Sequence, residues 1–203
     1  MNDEGITYFQ NFILEWYELN KRSFPWRYTF SPYKVFVSEI LLQQTNADKV
    51  IKPFNQITEA YKSMDELASA DITFLNDIFM ELGLFYRAQR LIDISKYLMD
   101  QHHGVIPNKK EELLKIKGIG DYTCNAILCF GYHERYALVD TNIIRVFERY
   151  LNFKSTKKRP HTDKSIWKFA QRILPNTEYI DYNYGLLDFA ALVCKAKKPG
   201  CTD

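Results

Sequence analysis

A chain of 203 residues with 46% hydrophobic and 26% charged side chains suits one substantial core or two small lobes, and its apolar content excludes a disordered chain. A net charge of +2 permits a nucleic-acid partner without requiring one. The acidic N-terminus, MNDEGITYFQNFILEW, has no basic export region, and no apolar run approaches the roughly 18 residues of a membrane span, so a cytoplasmic protein is expected.

Apolar residues at three- and four-residue spacing predict helices along most of the chain. The first carries Tyr8, Phe9, Phe12, Ile13, Trp16, Tyr17 and Leu19, and Ser23-Phe24-Pro25 ends it. Ser31-Pro32 opens the next, with Val35, Val37, Ile40 and Leu41; a further set runs through Leu82, Phe85, Ala88, Leu91 and Ile94, and Asn108 lies between Pro107 and another helix. No strand alternation survives this reading, and the fold class is all-α. There is no internal repeat, KSTKKRPH at 154–161 is a basic loop, and no linker marks a boundary between lobes. In a reducing compartment the four cysteines are core thiols or metal ligands rather than disulfides.

Residues 111–125 read EELLKIKGIGDYTCN, which places Gly118-Ile119-Gly120 in a tight turn between two helices. Glycine there supplies unusual backbone angles and lets the main chain approach a phosphate, while the following helix points its free N–H groups at the anion. Leu114, Ile116 and Ile119 are expected to pack the hairpin, and Lys115 and Lys117 to add charge. On this spacing alone a plain turn is the leading reading. Twenty residues later, LVDTNIIRVFERY starts a helix at Asp140, and an aspartate so placed is ordinarily an N-cap.

Taken together, FPWR (24–27), SPYKVFVSEILLQQT (31–45), LGLFYRAQRL (82–91), the GIGDYTCNA hairpin, VDTNIIRV and GLLDFAALVC (185–194) resemble, in order, the helix-hairpin-helix (HhH-GPD) DNA glycosylases of base-excision repair, in the branch of MutY-type adenine and Mig-type thymine enzymes. The resemblance implies a two-lobed helical fold. A central bundle at 29–135 holds the hairpin, residues 1–28 with 136–203 form the second lobe, and DNA bends over the cleft between them. Asp140 then matches the superfamily aspartate that stabilises positive charge developing on the deoxyribose. Glu39 matches the glutamate that protonates a departing base; charge statistics alone make it a solvent-facing helix residue. Tyr122 stands where bifunctional relatives carry a Schiff-base lysine, which implies a monofunctional enzyme without strand-nicking activity. Gln43, Gln44 and Thr45 match the helix end that intercalates and touches the opposite base, with Tyr86 as a second contact. Trp26, Arg27 and Asp188 would line the base pocket, although aromatics such as Trp26 and Tyr86 are more often core residues. Asn142 would hold Asp140 or the sugar, and Lys117, Gly118, Ile119 and Gly120 would meet the DNA backbone.

The C-terminus departs from the family pattern. Cys194 and Cys201 match the first two ligands of the C-x6-C-x2-C-x5-C run that holds a [4Fe-4S] cluster, and the third would fall beyond Asp203, so the cluster loop is either cut or lost. These two cysteines alone do not bind a cluster, which the resemblance implies for a longer natural chain, and Cys124 and Cys129, about 140° apart around one helix, read as core thiols. The partner implied is mismatched duplex DNA, met by a monomeric, nucleoid-associated enzyme. The substrate resemblance is divided: QQT and LGLFYRAQRL lean to adenine opposite guanine or 8-oxoguanine, whereas more of the chain leans to thymine or uracil opposite guanine. A non-catalytic helix-hairpin-helix DNA-binding protein is the further alternative.

Overall fold

The computed structural model describes residues 2–83 and 85–200. Among these residues every regular element is helical, and no helix is long and apolar enough to cross a membrane. The chain divides into two compact units, Met1–Ser23 with Arg135–Asp203, and Phe24–Glu134. Residues 24–28, assigned on sequence to the chain ends, group with the central stretch.

The first unit opens with α1 (Asp3–Asn20), whose N-cap Asn2 accepts a hydrogen bond from the Gly5 amide at 3.1 Å. Its buried face is Ile6, Phe9, Ile13 and Tyr17, one residue per turn. Tyr8 and Leu19, read as part of that face, are exposed, because one residue before Phe9 and two after Tyr17 rotate them off the stripe.

Among the described residues of the second unit seven helices follow: α2 (Pro32–Leu42), α3 (Ala47–Ala60), α4 (Met64–Ala68), α5 (Ile72–Glu81), α6 (Tyr86–His102), α7 (Lys110–Leu113) and α8 (Asp121–Ala126). A 3-10 turn at Pro25–Tyr28 precedes them, and α8 runs on as a wider π turn at Ile127–Gly131. α2 starts as the sequence predicts, with Ser31 as cap and Pro32 in the first turn. Every residue from Val35 to Leu41 is buried, as α2 packs against α3, α6, α8 and the π turn. The periodic run from Leu82 to Ile94 is not one helix. Gly83 adopts φ +78° and ends α5, leaving Phe85 exposed before α6 begins.

Back in the first unit follow α9 (Thr141–Tyr150), α10 (Lys164–Ile173) and α11 (Tyr179–Leu192). α1 and α11 cross closely at Gly185: a Cβ there would lie 2.9 Å from Ile13 Cγ2 and 3.1 Å from Tyr17 Cβ. Beside the crossing, Phe189 meets Phe12 and Trp16 edge-on, at 5.6 and 5.3 Å between ring centres. This packing sets α11 against α9, and so fixes the ground on which Asp140 stands.

Candidate active-site and nucleic-acid-binding residues

Asp140 is the N-cap of α9. Its Oδ1 accepts from the amides of Asn142 and Ile143 at 2.9 and 2.7 Å, and its Oδ2 accepts from Asn142 Nδ2 at 2.7 Å. Three donors therefore fix the carboxylate rotamer, while Oδ2 retains capacity for a further electron-poor partner. The Asn142 oxygen in turn accepts from Arg145 Nη1 at 2.9 Å. Arg145 also donates to the carbonyls of Cys194 at 2.6 Å and Ala190 at 2.9 Å, so the end of α11 holds Arg145, Arg145 holds Asn142, and Asn142 holds Asp140. Sequence reasoning missed Arg145; its position one turn after Asn142 was the available signal.

Asp188 has a different employment from the one expected. It is fully buried, and its two oxygens accept from Arg22 Nε at 2.6 Å and the Arg22 amide at 3.0 Å. A buried carboxylate needs a cation of this kind, and the pair ties the end of α1 to α11. The resemblance gives it a place in the base pocket; in the structure both of its carboxylate oxygens are bound to Arg22.

In the second unit Glu39 is 5% exposed, between Ser38 and Ile40 on the enclosed stretch of α2. The solvent-facing reading fails: Glu39 is enclosed by the packing around α2. Trp26 is also buried, stacked on Phe24 at 4.9 Å and edge-on to Phe54 at 5.6 Å. Core packing accounts for Trp26, while Arg27 is half-buried with its guanidinium 5.1 Å from the Phe24 ring.

α2 ends at Gln43, and Gln44 takes the left-handed conformation at φ 55°. Arg87, wholly buried, clamps this turn from within: Nη1 donates to Leu41 O at 3.1 Å and Thr45 Oγ1 at 2.9 Å, and burial pushes its pKa down. Gln43 Oε1 accepts from Arg90 Nη1 at 3.1 Å. Tyr86 is exposed at the start of α6, with the Arg90 guanidinium 5.3 Å from its ring centre. A groove of about 510 Å³ runs from Tyr86 and Arg90 past Tyr97 to Lys117 and Gly118 of the hairpin.

The hairpin packs through Leu113, Ile116 and Ile119; Leu114, expected in that role, is exposed, one residue out of register with Leu113. The two glycines differ. Gly118 has φ +105° and lies against Arg90 and Ile94, so its lack of a side chain serves the turn itself. Gly120 has φ −97°, caps α8, and a Cβ there would meet nothing within 4 Å. Its open side suits close approach by a ligand. Lys117 is exposed beside it, and Tyr122 is half-buried in the first turn of α8.

Residues 37–172 match the family described as HhH-GPD superfamily base excision DNA repair protein. The chain belongs to the HhH-GPD superfamily. Over 195 residues, 94% of this HhH-GPD chain and 87% of the relative, it is 36% identical to the thymine-DNA glycosylase of Aeropyrum pernix. It is 35% identical over 204 residues to the thymine/uracil-DNA glycosylase of Pyrobaculum aerophilum, covering 98% and 89% of the two chains. An adenine DNA glycosylase of Buchnera aphidicola subsp. Baizongia pistaciae is 32% identical over 197 residues, 97% of this chain but 55% of that protein. The solved structure of a thermostable thymine-DNA glycosylase superposes with a TM-score of 0.92 at 30% identity, covering 99% of this chain and 93% of that one. A non-covalent endonuclease III–DNA complex shares the fold, with a TM-score of 0.84 at 20% identity over 100% and 92% of the two chains.

A [4Fe-4S] cluster of the kind the resemblance implies needs four thiolates. Cys194 is buried and its sulfur lies 3.9 Å from Arg149 Nη1, whereas Cys201 lies outside the described residues. Among the described residues no group of three or more Cys, His, Asp or Glu is placed to hold a metal. Cys124 and Cys129 are buried on α8 and the π turn, and burial pushes the Cys124 thiol up to about 11. Among the described residues Cys194 is the one thiol of the matching run, and by itself it does not supply the four thiolates of such a cluster.

Proposed function

We propose that this chain is a monofunctional DNA glycosylase that removes thymine or uracil mispaired with guanine, acting as a cytoplasmic monomer on duplex DNA. The observation that carries this is near full-length similarity, on both chains, to the thymine- and thymine/uracil-DNA glycosylases of Aeropyrum pernix and Pyrobaculum aerophilum. In this reading the C1′–N bond of the extruded nucleotide breaks with its electron pair leaving on the base. Glu39 supplies the proton or donor that the departing base requires. The Asp140 carboxylate, held by Asn142 and the Ile143 amide, stabilises the positive charge on C1′ and O4′. Water adds to C1′ and loses a proton, leaving an abasic site. Tyr122 has no amine, so the sugar forms no Schiff base with it. The open side of Gly120 and the exposed Lys117 receive the phosphate backbone, and the Gln43–Thr45 turn with Tyr86 enters the gap left by the flipped base.

Adenine excision is the second reading, supported by the 32% identity to an adenine glycosylase and by QQT at 43–45. Single-turnover excision on G·T, G·U, A·G and A·8-oxoguanine duplexes separates the two. Fast release from G·T and G·U with slow adenine release is expected; fast adenine release with inert G·T and G·U would reverse the assignment and leave the roles of Glu39 and Asp140 in place.

A further inference from the structure

Arg90 has no part in the bond-breaking chemistry, yet it touches three pieces of the DNA-reading surface. Its Nη1 donates to Gln43 Oε1 at 3.1 Å, its guanidinium lies 5.3 Å from the centre of the Tyr86 ring, and its stem passes the hairpin at Gly118. A Cβ on Gly118 would stand 3.2 Å from Arg90 Cδ and 3.2 Å from Ile94 Cδ1, so the bare glycine leaves the passage the arginine uses. The Tyr86 ring on the guanidinium and the hairpin beside the stem both restrict how Arg90 can turn.

The consequence lies in the chemistry of the glutamine. A side-chain amide carries an acceptor on one arm and two donors on the other, and an unrestrained Gln can turn either arm toward a base. Arginine has donors only. The Gln43 oxygen therefore has to face Arg90, and the Nε2 amino group has to face away. We propose that Arg90 is a positioning residue that sets the polarity of Gln43, so that the residue reading the opposite base presents a donor and selects guanine. Guanine carries a carbonyl acceptor, O6, where adenine carries an amino donor. A donor fixed by Arg90 meets O6 productively and meets the adenine amino group as a like partner. This rests on the reading of the enzyme as one that acts opposite guanine, and it extends that reading to the atom recognised and to the residue that enforces the choice.

The test uses single-turnover uracil release from duplexes with inosine or 2-aminopurine opposite the uracil. Inosine keeps the 6-carbonyl and lacks the 2-amino group; 2-aminopurine does the reverse. The inosine to 2-aminopurine rate ratio is compared between variant and wild type, so that the intrinsic stability of each pair cancels. Arg90→Met is expected to lower the ratio about tenfold, the scale of one well-placed base contact. Arg90→Lys keeps a donor on a similar stem and retains most of the ratio. Gln43→Glu keeps the contact with Arg90 but has no donor left, and it lowers the ratio by a similar factor, which loss of packing alone would not do. Gln43→Glu also carries the test if Arg90→Met fails to fold. An unchanged ratio in Gln43→Glu, or in a folded Arg90→Met, overturns the inference while an active wild type leaves the function standing. A wild-type enzyme inert on both G·U and G·T overturns the function and this inference with it.

Discussion

Asp140 is a helix cap and, in the proposed mechanism, also the catalytic charge, and substitution separates the two roles. Asparagine caps a helix about as well as aspartate, so Asp140→Asn should keep the amides of Asn142 and Ile143 satisfied and melt near the wild-type temperature. Its single-turnover base release should nevertheless fall at least about a hundredfold, the scale of losing one preorganised charge, while DNA binding persists. Near-normal turnover in that variant would reduce Asp140 to a cap. Asp140→Ala should lose about 1 kcal/mol of stability in addition. Asp140 and Asn142 were legible because cap and neighbour share one short string; Arg145 was not, because its meaning depends on carbonyls at 190 and 194 that only the fold brings to it. The same holds for Asp188, whose partner Arg22 lies 166 positions away. The cysteines on α8 and the π turn were read correctly as buried thiols, and chemistry can check it: with its thiol pushed up to about 11, Cys124 stays protonated through pH 7–9. A disulfide reagent at pH 8 should leave Cys124 unmodified in the native protein and modify it after denaturation. Rapid labelling of the folded chain would place Cys124 at the surface.

At the level of elements the hairpin offers the sharpest contrast. Gly118 sits at φ +105°, where any side chain is strained, so Gly118→Ala is expected to cost roughly 1–2 kcal/mol and to lower the melting temperature by roughly 2–8 °C. Gly120 sits at an ordinary φ with open space around it, and aspartate is a favourable cap. Gly120→Asp should therefore melt no lower than wild type yet bind every duplex more weakly, matched or mismatched, since it sets a negative charge against a phosphate. Undiminished binding would show that the hairpin does not receive the backbone. The sequence made the turn visible through its two glycines but did not distinguish them, because φ is a property of the folded turn. Helix existence was legible from periodicity, whereas side-chain register at the ends was not: Leu114 and Leu19 are as apolar as their buried neighbours and differ from them only in angle. The split between α5 and α6 at Gly83 was readable in principle, since a glycine within an apolar period lowers helix stability and is a candidate C-cap.

For the whole molecule, a net charge of +2 means that long-range attraction to DNA is weak and that affinity comes from a few local cations. Replacing the exposed Lys117 by alanine should reduce the slope of log affinity against log salt by about 0.9, the release of one counterion; an unchanged slope would remove Lys117 from the interface. With tyrosine at 122, borohydride should trap no enzyme–DNA adduct, and strands should break only after alkali; efficient trapping would overturn the monofunctional mechanism. The crossing of α1 and α11 at Gly185 also bears on how the protein comes into being. The unit it anchors is interrupted in the chain by the whole of residues 24–134, so the ribosome delivers one half of that contact first and the other after most of the chain has been made. At ordinary rates of synthesis roughly 10–35 s separate Ile13 from Gly185. Within that interval the central unit is completed and can fold, while Phe9, Ile13 and Tyr17 wait throughout as an uncovered apolar stripe, which makes the earliest part of the chain the one most in need of a chaperone.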